Sequence, residues 1–91
     1  MNLTFHPDAE NEFTNSINYY EDIEKGLGLD FAIEVHSTIK RITSFPKAWS
    51  IIEEDIRQAL INRFPYSVLY TFEKGTIFIL AVMHSKRKPR Y

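Results

Sequence analysis

Hydrophobic and polar residues change rhythm twice along this 91-residue chain. Over 2–6, NLTFH alternates: Leu3 and Phe5 face one way, Thr4 and His6 the other. That predicts a short strand. Pro7 closes it and suits the first turn of a helix. Asp8, Glu10 and Glu12 follow, where the helix dipole favours negative charge. Ala9, Phe13, Ile17 and Tyr20 recur at spacings of four, four and three. They form one apolar stripe on a helix over about 7–24. KGLGLD (25–30) interrupts the pattern, with Gly26 suited to a C-cap and Gly28 loosening the turn. Ala32, Val35, Ile39 and Ile42 then resume the helical spacing. A second helix is predicted over about 29–44, ended by Phe45-Pro46. Two amphipathic helices joined this tightly make a hairpin.

After Pro46 the period shortens. WSII (49–52) reads as a short strand, and Glu53, Glu54 and Asp55 as a turn. IRQALINRF (56–64) alternates throughout and predicts a strand. YSVLYTF (66–72) is rich in aromatic and β-branched residues. EKG (73–75) reads as a hairpin turn, since Gly75 accepts positive φ. TIFILAVMH (76–84) is nearly all apolar, as expected of a central strand covered on both faces. The order predicts an α+β fold: an N-terminal strand, a helical hairpin, then three or four strands in a small, mostly antiparallel sheet. The length fits a single domain over 1–91, with roughly 60–65% of its extended surface buried.

Composition narrows the chemistry. There is no cysteine, hence no disulfide, thiol nucleophile or thiolate metal site, which suits a reducing cytoplasm. No signal peptide is expected from MNLTFHPDAE, and no run approaches the ~20 apolar residues of a membrane span. The net charge of −1 hides a segregation: residues 1–34 hold eight acids and one base, residues 35–91 four acids and ten bases. The basic half could attract a polyanion.

Candidate functional residues gather in that half. His84 closes the last strand, and its ordinary pKa lies near neutrality. Arg57 and Arg63 lie an even number of residues apart on the 56–64 strand, so they should share a face. If the helices leave that face open, Lys86, Arg87 and Arg90 could join them in binding phosphate or carboxylate. Tyr66, Val68 and Tyr70 share one face by the same parity. His6 and His36 have no metal-ligand spacing, and no Gly-rich phosphate loop or G-x-S-x-G is present. No cofactor or metal is expected.

The segments AENEFTNSINYYE, GLGLDFAIEVHSTIKRITSFP, IRQALINRFPYSVLYTF and ILAVMHSKRKPRY resemble, in order and over almost the whole chain, the RelE/ParE toxin superfamily. The most specific parts are YYE (19–21) with GLG (26–28) and Phe31, RFPY (63–66) with Tyr70, and AVMH (81–84) followed by Arg87-Lys88-Pro89 and Tyr91. The resemblance implies the toxin of a bacterial type II toxin–antitoxin pair, held inactive by a cognate antitoxin. The antitoxin's C-terminal segment would be acidic and disordered until bound, complementing a basic, aromatic sheet face. Tyr66, Tyr70, Arg57 and Arg63 would meet it. No membrane is involved, and a homodimer or a toxin–antitoxin hetero-oligomer is compatible with the pattern.

Two branches of the superfamily differ in activity. ParE-like members inhibit DNA gyrase by binding it. RelE-like members cut mRNA on the ribosome without metal. In the second case His84 and Tyr91 would exchange protons, and Arg57, Arg63 and Arg87 would hold the phosphate. RelE-like chains carry Arg after the first Tyr of the YSVLY strand, whereas this chain has Ser67. That departure, with YYE and GLG, makes the resemblance closer to the ParE side. A third alternative is an attenuated, antitoxin-binding protein without activity of its own.

Overall fold

The computed structural model describes residues 2–86. Its elements are β1 (Asn2–Phe5), α1 (Pro7–Ile23), α2 (Leu27–Ser44), β2 (Ile51–Glu53), β3 (Ile56–Leu60), β4 (Tyr66–Glu73) and β5 (Thr76–His84). The sheet order is β1-β5-β4-β3-β2. β1 runs parallel to β5, and the other pairs are antiparallel. The α+β architecture predicted from periodicity is therefore observed, with four strands after the hairpin.

His6 ends β1 rather than extending it. Its backbone N–H donates to the Ile79 carbonyl, and its Nδ1 accepts the Asp8 N–H at 3.0 Å, capping α1. Pro7 opens the helix, where no intrahelical N–H is needed. At the other end of α1, Glu21 accepts from the N–H groups of Gly26 and Gly28 at 3.0–3.1 Å. A carboxylate thus covers the orphan donors at the start of α2. Gly28 is required by space: a Cβ there would stand 2.6 Å from the Ile17 carbonyl oxygen.

The helices cover one sheet face. Ala9, Phe31, Val35, Ile39 and Ile42 meet Val68, Tyr70, Ile77, Ile79 and Val82 in the main core. An aromatic cluster closes one end, where Phe31 lies within 4.9–5.2 Å of the Tyr20, Phe64 and Tyr66 rings. On the other face, Ile56, Leu69, Ala81 and Met83 form a second buried cluster. β5 serves both by a bulge. Tyr70 pairs with Ile79 and Leu69 with Ala81, leaving Leu80 unpaired. Parity therefore reverses, so Ile77 and Ile79 before Leu80 join the helix-side core, as does Val82 after it.

The strand predicted over 56–64 stops at Leu60. The alternation continues in sequence, but Phe64 leaves the sheet to join the aromatic cluster. Arg63 takes φ 72° to make that turn. Burying the Phe64 ring outweighs prolonging a pattern that no longer has a partner strand.

Candidate functional site

The expectation that Arg57 and Arg63 share an open sheet face is overturned, because only Arg57 lies on a strand. Arg57 pairs with Tyr70, so it stands on the helix-side face. Its Nη1 donates to the carbonyls of Trp49 at 2.6 Å and Lys47 at 3.2 Å. Tyr70 is fully buried, and its hydroxyl donates to the Pro46 carbonyl at 2.7 Å. Burial pushes the Tyr70 phenol up from its usual range, and the Arg57 charge partly opposes this. The two side chains thus pin the segment between α2 and β2. Arg63 instead reaches back to α2, with Nη2 3.5 Å from Asp30 and Nη1 3.7 Å from Glu34.

His84 closes β5, as the sequence predicts, and the strand turns it toward the helices. Tyr66 and His84 are direct partners across β4 and β5, with ring centroids 5.5 Å apart. Tyr66 packs on Phe31 of α2, so the pair faces the helices and not the open side of the sheet. The bulge at Leu80 is the cause: without it His84 would point the other way. A cleft of about 150 Å³ opens here, lined by Glu12, Asn15, Ser16, Tyr66, Val82, Met83 and His84. Glu12 spans it and accepts the Val82 N–H at 3.2 Å. The His84 Nδ1 accepts the Lys86 N–H at 3.2 Å. A neutral imidazole so bonded carries its proton on Nε2.

Among the described residues, the arrangement does not bring Arg57 or Arg63 to His84. Arg57 pairs with Tyr70, four residues along β4 from Tyr66, or roughly 13 Å at strand rise. Among the described residues, Lys86 is the base next to His84 in the chain. Arg87, Lys88, Arg90 and Tyr91 lie outside the described residues. Ser67 is fully buried on the far face, 3.1 Å from the Gln58 amide nitrogen and 3.3 Å from the Ser85 hydroxyl. Among the described residues no cluster of three or more His, Asp or Glu could hold a metal. No helix among them is long and apolar enough to cross a membrane.

The sequence reading missed Glu12, Asn15 and Ser16, whose helical positions carry no chemical signature. Tyr20 was read only as core. It lies 5.9 Å from Tyr66, and its phenol is pushed up first by burial and then by Tyr66.

No protein-family model and no curated protein sequence matches the chain. Among solved structures, the chain is similar to one described as the chromosomal ParDE TA system from P. aeruginosa. The TM-score is 0.80 at 16% identity, over 92% of this chain and 95% of that one. At this identity the likeness shows the fold alone: the chain has the α+β fold of that ParDE structure.

Proposed function

We propose that this chain is the toxin of a bacterial type II toxin–antitoxin pair, a ParE-like growth inhibitor that acts in the cytoplasm. Its target is a protein, DNA gyrase, and a cognate antitoxin neutralises it. The observation that carries this reading is the fold shared with a ParDE system. Ser67 supports inhibition by binding over RNA cleavage. Where a RelE-like nuclease carries a phosphate-gripping arginine, this chain buries a small hydroxyl between Gln58 and Ser85. Arg57 and Arg63, the other proposed phosphate ligands, spend their guanidiniums on loop carbonyls and on α2. One observation favours the nuclease as a second reading: His84 sits at the rim of a cleft beside Tyr66.

The test is induced expression without antitoxin, following DNA supercoiling and translation in the same cells. Early loss of supercoiling with translation still running is the expected result. Prompt translation arrest with cleaved mRNA would replace it with the nuclease reading. Absence of any growth arrest would leave the attenuated, antitoxin-binding protein.

A further inference from the structure

β2 is an edge strand: among the described residues, no strand lies outside it. Free N–H and C=O groups on such an edge template pairing, and edges are commonly blunted by lysine, proline or a covering segment. β2 instead presents Ile51 and Ile52, which are 52% and 42% exposed.

The ladder to β3 fixes which backbone groups face outward. The Gln58 N–H donates to the Ser50 carbonyl, and Ile51 stands opposite Arg57. Ile51 is therefore in a non-hydrogen-bonded pair, so its own N–H and C=O both point away from β3. A bulge between Ile51 and Glu53, then the turn at Glu54-Asp55, shortens the free stretch on one side. On the other side the chain is pinned. The Arg57 Nη1 donates to the Lys47 and Trp49 carbonyls, and the Tyr70 hydroxyl donates to the Pro46 carbonyl. The free edge is short, held in place from behind, and centred on one residue.

We infer that this edge pairs with the same edge of a second copy of the chain, antiparallel, on a two-fold axis at Ile51. One residue then supplies both central bonds: each Ile51 N–H donates to the Ile51 carbonyl across the axis. The two Ile51 side chains lie side by side on one face and cover each other. The contact is isologous, so it closes at two copies and does not run on into a fibre. Charge complementarity within this chain selects the occupant. In that register position 49 opposes 53 and position 47 opposes 55. Lys47 of each copy therefore approaches Glu53, Glu54 and Asp55 of the other. The inference does not depend on the toxin–antitoxin reading.

The chain has no cysteine, so Ile51→Cys tests the register directly. In an antiparallel hydrogen-bonded pair the Cα atoms stand about 5.5 Å apart, within disulfide reach. Mild oxidation of the purified variant should link it into dimers, whereas Leu60→Cys on β3, 63% exposed, should stay unlinked. Sedimentation of the unaltered chain should show a concentration-dependent dimer. Ile51→Pro removes only the outward N–H, a change an edge strand tolerates, and should weaken the dimer about 30-fold because both central bonds are lost. Lys47→Glu should weaken it about 10-fold, and adding Asp55→Lys should restore it. Melting curves confirm that each variant folds. A chain that sediments as a monomer at every concentration, with Ile51→Cys linking no more than Leu60→Cys, would overturn the inference. So would a dimer kept by Ile51→Pro but lost on Leu3→Glu at the β1 edge.

Discussion

Gly28→Ala isolates the contact that sets the angle of the helical hairpin. Alanine gains about 1 kcal/mol of helix propensity over glycine, so on an isolated helix the change stabilises. Here the new Cβ would lie 2.6 Å from the Ile17 carbonyl oxygen and 2.9 Å from both Cβ and Oε1 of Glu21. The first of these is backbone and cannot turn aside. α1 and α2 must separate by several tenths of an ångström, an overpacking cost of about 1–3 kcal/mol. The Glu21 carboxylate is also displaced from the Gly26 and Gly28 N–H groups, and losing such a cap costs about 1 kcal/mol. These losses exceed the propensity gain, leaving a net destabilisation of about 2 kcal/mol. For a domain of this size that lowers Tm by about 10 °C. Urea and thermal unfolding followed by circular dichroism would measure it. Adding Gly28→Ala to Glu21→Ala should cost less than in the wild type, because the cap is already gone. A Gly28→Ala protein as stable as wild type would refute the close-approach argument.

Other consequences follow from the pinned loop, the strained turn and the cleft. Tyr70→Phe removes the bond to the Pro46 carbonyl and should cost about 1–2 kcal/mol in chemical denaturation. Because burial raises the Tyr70 phenol above its unfolded value, its contribution is complete below about pH 10 and falls as pH rises through the folded value. Tyrosinate absorbance should show Tyr70 and Tyr20 ionising above the ordinary tyrosine range, and ionisation of both within that range would contradict their burial. Arg63→Gly should be more stable than Arg63→Ala by about 1 kcal/mol, since φ 72° suits glycine and both variants lose the same ion pairs. His84→Ala should leave growth arrest intact under the inhibitor reading, and loss of arrest in a folded variant would return the nuclease to first place.

Much of this protein was legible in its sequence. Helical period and β-rich composition are local signals, so both helices, the strands read over 66–72 and 76–84 and the turn at Gly75 follow from them. The YYE and GLG motifs are also explained locally: Glu21 caps α2, and Gly28 lets the helices touch.

What the tertiary structure decided is which way the candidate residues point. Parity places Tyr66, Val68 and Tyr70 on one face, but the face covered by the helices is settled only by packing. The unpaired Leu80 reverses the parity of β5 and turns His84 toward α1. Phe64 leaves the strand for an aromatic cluster assembled from both helices and β4, carrying Arg63 away from Arg57. Each outcome depends on burying a large side chain against residues distant in sequence. A local pattern records the period of a strand, but not the partner that ends it or the bulge that inverts it.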